Sequence, residues 1–134
     1  IKAISLNPYE ETYHRVYSQT NLALANSLAG RPNLSDQDRA NISQLIQQAI
    51  REGKISISLD QNNVQNWENL AGIYRNLINF AQGAEQWAIT GYQQAILLDP
   101  TNPQLRLNLG GIFYSLGQYD EALRLFQQAS FSAH

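Results

Sequence analysis

The chain has no cysteine, which rules out disulfide bridges, thiolate metal sites and thiol nucleophiles. Charge is scarce as well. Asp, Glu, Lys and Arg make up 15% of the residues, where an average domain carries about 25%. The net charge is −2 and no stretch is basic. Affinity for phosphate needs clustered Lys and Arg, so neither nucleic acid nor an anionic membrane surface is expected as a partner. No apolar run approaches the roughly 18 residues of a membrane-spanning helix, and no leader pattern opens the chain, so no direct membrane insertion is expected. Two imidazoles occur, His14 and His134. His134 is terminal, and His14 sits in a helical stretch without Asp or Cys at ligand spacing, so it reads as packed or solvated and no metal is expected. A nucleophile triad needs a positioned base, which this chain does not offer. Gly110-Gly111 and Gly117 lack the spacing of a phosphate loop. No catalytic residue, no cofactor and no enzymatic activity are expected. Asn33-Leu34-Ser35 and Asn41-Ile42-Ser43 fit the glycosylation pattern, as short patterns do by chance in an Asn-rich chain.

Hydrophobic residues are plentiful, at 43% of 134 positions, enough to bury a core in one domain. Asn and Gln take the place of charge, at roughly a fifth of the chain. They alternate with apolar residues at helical spacing, so they read as solvated helix faces and not as a disordered polar tract.

One short phrase recurs: Ala3-Ile4-Ser5-Leu6-Asn7-Pro8, Ser56-Ile57-Ser58-Leu59-Asp60-Gln61 and Ala95-Ile96-Leu97-Leu98-Asp99-Pro100. Each is a helix end, and recurrence at such a period means stacked units. The cleanest unit follows the third copy. Pro103 suits a first helical turn, and Leu105, Leu109, Ile112, Phe113 and Leu116 keep a helical period. Gly117 stops that helix in a left-handed conformation. Tyr119-Asp120-Glu121 opens a second helix with acid at its positive end, and Ala122, Leu125, Phe126 and Ala129 form its buried stripe.

The run from Asn108 to Ala129 resembles a tetratricopeptide repeat. Small residues at Gly110, Ala122 and Ala129 let two helices approach, and Phe113, Tyr119 and Phe126 fill the holes between them. Arg106 stands in the family's Trp slot. The preceding unit resembles the family through Trp67, Leu70, Ala71 and Tyr74, then Ala88, Tyr92 and Ala95. Asp60 and Asp99 are 39 positions apart, about five more than a plain repeat. Ile78 and Phe80 continue the apolar period, so the excess is expected to lengthen the first helix by about one turn, with Gln82-Gly83 closing it. In the first unit Asn7 and Asp60 are 53 positions apart, an excess of about nineteen. A long helix is expected from Tyr9 to about Ala29, with Tyr13, Val16, Tyr17, Leu24 and Leu28 as its apolar residues. Gly30-Arg31-Pro32-Asn33 breaks it. Ser35 with Asp38 approximates a capping box, and a second long helix carries Ile42, Leu45, Ile46, Ala49, Ile50 and Ile57. Gly53 and Ser56 occupy slots where the family has an aromatic and an alanine.

The resemblance covers nearly the whole chain. It implies an all-α, tetratricopeptide-like α-α superhelix of three stacked antiparallel helix pairs, the first elongated. Residues 1–8 would end a preceding repeat, 9–61 form a long atypical repeat, 62–100 a repeat with a short insertion, and 101–134 a repeat truncated at its C-terminal end. Both ends cut a repeat, so a piece of a larger polypeptide is expected. The excess length gives the first pair an overhang of roughly 12 Å at 1.5 Å per residue. Leu24, Leu28, Ile42, Leu45 and Ile46 would be incompletely covered there, a candidate contact patch.

The resemblance also implies a concave groove that receives a protein or peptide. Carried over by register, its lining is Arg15 and Gln19, then Gln65, Glu68, Asn69, Gly72, Arg75 and Asn76, then Gln104, Leu107, Asn108, Gly111, Tyr114 and Ser115. Asn69 and Asn108 take the slot where the family often keeps an amide for the peptide main chain. Arg15 and Asn69 match places in the subclass that clamps a carboxylate, but Gln104 and Asn108 replace its other basic groups, so a neutral or mixed peptide is expected. The alternative is a structural module that forms a homo-oligomer through an uncapped end or the overhang. The style of the sequence also resembles repeat tails of bacterial membrane proteins in surface-glycan assembly, on either side of the cell membrane.

Overall fold

A computed structural model describes residues 9–132; the helix end read at Ala3–Pro8 and the terminal His134 lie outside the described residues. Six α-helices make up the described chain, with no strand among them: α1 (Glu10–Ala29), α2 (Asp36–Leu59), α3 (Val64–Asn76), α4 (Ala84–Leu98), α5 (Pro103–Ser115) and α6 (Tyr119–Ser132). They fall into two compact units that divide between Gln61 and Asn62.

The first unit is one long hairpin. Ser18 donates to the Ala49 carbonyl at 2.6 Å, and His14 Nδ1 lies 2.5 Å from Glu52 Oε1. Residue numbers that rise on α1 fall on α2, so the two helices run antiparallel. The capping box at the head of α2 is complete: the Asp38 N–H donates to Ser35 Oγ at 3.0 Å, and the Ser35 N–H donates to the Asp38 carboxylate at 3.1 Å. Those bonds hold the Asp38 carboxyl below its ordinary value, the backbone N–H of Ser35 contributing most. A carboxyl depressed in the folded state adds stability above its unfolded value of 3.8 and withdraws it as the pH falls through the folded value. The melting temperature of the native chain should therefore exceed that of Asp38→Asn near pH 5 and converge with it toward about pH 2. A gap that stays constant across that range would refute the capping role.

The buried face of α1 is built from small and polar residues and not from its bulky apolar ones. Ser18, Asn21 and Ala25 are buried, while Tyr13 (63% exposed), Val16, Tyr17 and Leu24 (50% exposed) face solvent. Small side chains let α1 close on Ala49 of α2, and the bulky residues are left outside. Tyr13 stacks on Tyr17 with ring centroids 6.1 Å apart. The Asn21 amide nitrogen is buried without a hydrogen-bond partner, a costly arrangement for a donor.

The second unit holds two hairpins, α3–α4 and α5–α6, joined by packing of α4 on α5. Asn63 and Asn102 open α3 and α5 alike, each accepting from the backbone N–H two residues on at 3.0 Å. Pro103 takes the first turn of α5. Gly117 is left-handed (φ +79°). The Gln118 and Gly117 N–H groups return to the Phe113 and Tyr114 carbonyls at 2.9 and 3.0 Å, the bond pair of a Schellman motif. Asp60 and Asp99 end α2 and α4, as the recurring phrase implies. Ala71, Ala88, Ile89, Tyr92, Ala95, Leu105, Leu109 and Ile112 form the core, with Trp67, Tyr74, Ile78, Phe113 and Leu125 packed against it.

The insertion does not lengthen α3. The helix stops at Asn76, and Leu77–Gly83 forms an irregular turn. Ala81 N–H still reaches the Leu77 carbonyl at 3.0 Å, but Asn79 turns left-handed (φ +78°), which an α-helix cannot absorb. Phe80 is thereby left 86% exposed.

Candidate functional site

A cleft of about 380 Å³ opens in the second unit, between the end of α3, the turn after it and one face of α5. Arg75 comes from α3 and Ile78 and Asn79 from the turn; Leu107, Asn108, Gly111, Ile112 and Ser115 come from α5. The α5 residues share a face because they recur three, four and eight positions apart. Gln104 Nε2 donates to Asn108 Oδ1 at 2.9 Å, which orients that amide and leaves its N–H donors for a ligand. Gly111 keeps the floor low: a Cβ there would meet nothing within 4 Å. Arg75 hydrogen-bonds the Tyr92 phenol, and burial pushes that phenol above its ordinary value. No carboxylate among the described residues lies within 4.0 Å of the Arg75 guanidinium.

Of the residues carried over by register, Arg75, Leu107, Asn108, Gly111 and Ser115 meet in this cleft, with Gln104 tied to Asn108. Gln65, Glu68, Asn69 and Asn76 lie on α3 outside its lining. Tyr114 belongs elsewhere: its ring meets Tyr119 edge-on at 5.1 Å, and both line a separate depression of about 500 Å³ with Leu123 and Phe126. Arg15 and Gln19 sit on α1 in the other unit, where Arg15 lies 3.9 Å from Glu11. In that unit Leu24 is exposed, and Leu28, Ile42, Leu45 and Ile46 are half-buried. Arg106, in the family's Trp slot, hydrogen-bonds the Pro100 carbonyl.

Ile78 and Asn79 escaped the sequence reading, because their places depend on where α3 ends. The left-handed tolerance of Asn was the available signal. The His14–Glu52 contact also escaped it, since it joins positions 38 apart across the hairpin. Among the described residues no group of three or more His, Cys, Asp or Glu side chains could hold a metal ion, and no helix is long and apolar enough to cross a membrane.

Antiparallel helix pairs with small residues at their crossings, and a cleft on the face of a first helix, define a helical-hairpin repeat protein. Residues 79–134 match the tetratricopeptide repeat model. The solved structures it resembles include the second such repeat domain of Spaghetti (RPAP3) bound to the HSP90 peptide SRMEEVD. That domain is 19% identical, with 89% of this chain and 94% of that one covered and a TM-score of 0.56. Two structures of MamA are also similar. One is 20% identical over 86% of this chain and 72% of its own, at TM-score 0.59. The other is 18% identical over 98% and 96%, at 0.60. No curated protein matches by sequence. Residues 79–134 thus carry a tetratricopeptide repeat, and over most of the chain the likeness to these solved structures is one of fold.

Proposed function

We propose that this chain is a non-catalytic scaffold that holds an extended peptide or protein segment in the cleft between α3 and α5. The carrying observation is the cleft itself. Amide, hydroxyl and guanidinium groups ring an apolar floor of Leu107 and Ile112, the mix that pairs with a peptide main chain while covering its side chains. A structurally similar repeat domain is bound to a peptide, which supports the reading. Gly111→Leu tests it. The new side chain meets no protein atom near its Cβ, so the fold should stand while the cleft fills. Peptides selected from a displayed random library against the native chain should lose at least about tenfold in affinity for Gly111→Leu, or about 1.4 kcal/mol. Undiminished binding would place the ligand elsewhere.

A second reading, self-association, is favoured by the exposed residues Tyr13, Val16, Tyr17 and Leu24 along α1, with Tyr9 just before it. Light scattering separates the two: a monomer that binds peptide supports the scaffold, and a dimer indifferent to peptide supports assembly.

A further inference from the structure

The cleft has a wall that a plain repeat of this length would not supply. Leu77–Gly83 joins α3 to α4, whereas Leu116–Gln118 suffices to join α5 to α6. The longer turn is fixed by its own backbone. Ile78 N–H reaches Arg75, and Phe80 and Ala81 N–H both reach Leu77, at 3.3, 2.9 and 3.0 Å. Ile78 is anchored against the core and also lines the cleft, beside Asn79. Leu107 and Ile112 of α5 give the cleft its apolar floor, and the one charged side chain in the lining is Arg75.

We infer that the Leu77–Gly83 turn sets the specificity of this cleft, and that the segment it selects carries an aliphatic side chain next to a single carboxylate. The aliphatic group sits between Ile78 and Leu107. The carboxylate meets Arg75, which lines the cleft, hydrogen-bonds the Tyr92 phenol and has no carboxylate within 4.0 Å among the described residues. A second carboxylate has no cation to receive it in this lining. The inference rests on the cleft being the peptide site.

The probe is a capped peptide with one leucine followed by one aspartate in a glycine-serine background. Two counterparts carry asparagine for the aspartate or alanine for the leucine. Amide NMR titration of the full chain should move resonances of residues 75–79 and 107–115. Arg75→Gln should erase a preference for aspartate over asparagine of about three- to fivefold, the size of a surface charge pair. Ile78→Ser should weaken the leucine peptide by about tenfold and leave the alanine peptide nearly unchanged. Because Ile78 also touches the core, Asn79→Gly is the companion variant. Glycine keeps the left-handed backbone, so only the amide is lost, and about a threefold weakening is expected. If α5 resonances move but all three variants bind like the native chain, the turn has no selective role and the inference fails while the cleft reading stands. If none of the peptides moves cleft resonances and Gly111→Leu changes nothing with library-selected peptides, both fall.

Discussion

Leu105→Ala should lower the stability of the α3–α6 unit by about 3 kcal/mol. Leu105 is fully buried (0% exposed) and lies in the first turn of α5, where it belongs to the core with Leu109, Ile89 and Tyr92. The loss has two parts, the transfer free energy of the removed carbons and the void left among neighbours fixed on other helices. α4 and α5 belong to adjoining hairpins, so the void falls where one hairpin stacks on the next. In a repeat architecture that interface term keeps the units cooperative. Urea unfolding followed by circular dichroism should therefore show an earlier and also broader transition. Leu97→Ala is the control: that side chain is 73% exposed on α4, and its loss should shift stability by less than about 0.5 kcal/mol. Equal, small effects at both positions would mean that α5 is not seated on α4 as described.

The second large effect concerns glycines in helix interiors, where alanine would ordinarily be favoured by about 1 kcal/mol. Gly91→Ala should instead destabilise by about 2 kcal/mol. A Cβ there would stand 2.8 Å from Ala71 Cβ and 3.2 Å from Ala71 Cα. Backbone cannot swing aside, so α3 and α4 must separate. Gly110→Ala faces the Phe126 ring, whose nearest atom would lie 2.6 Å away. The ring can pivot, so the net loss should be nearer about 1 kcal/mol. Its neighbour behaves oppositely. Gly111 opens on the cleft with nothing within 4 Å, so Gly111→Ala should recover the propensity term and stabilise by about 0.5–1 kcal/mol. Chemical denaturation of the three variants reads these signs directly. A stabilised Gly91→Ala would show that the helices sit farther apart than in this structure.

The contrast between Gly110 and Gly111 shows where sequence reading succeeds. Gly110 was legible as a close-approach residue because the family resemblance fixes its register, and its contact with Phe126 bears that out. Gly91 makes the less forgiving approach, because it meets the Ala71 backbone and not only a ring that can pivot, yet no motif in α4 singled it out. In α1 the apolar residues were legible, but the face they occupy was not. Burial there follows from how closely α2 can come, and Ser18 and Ala25 allow that approach where Tyr13 and Leu24 do not.

The sequence by itself determined the helices and most of their ends. Ser35, Asn63, Asn102, Pro103 and Gly117 act through hydrogen bonds and backbone angles within a few residues, so their effects are written locally. Only the tertiary structure decided that α3 stops at Asn76, that Ile78 and Asn79 wall the cleft, and that His14 meets Glu52. Those outcomes depend on distances between helices, which the packing of many side chains sets together and no single stretch of residues encodes.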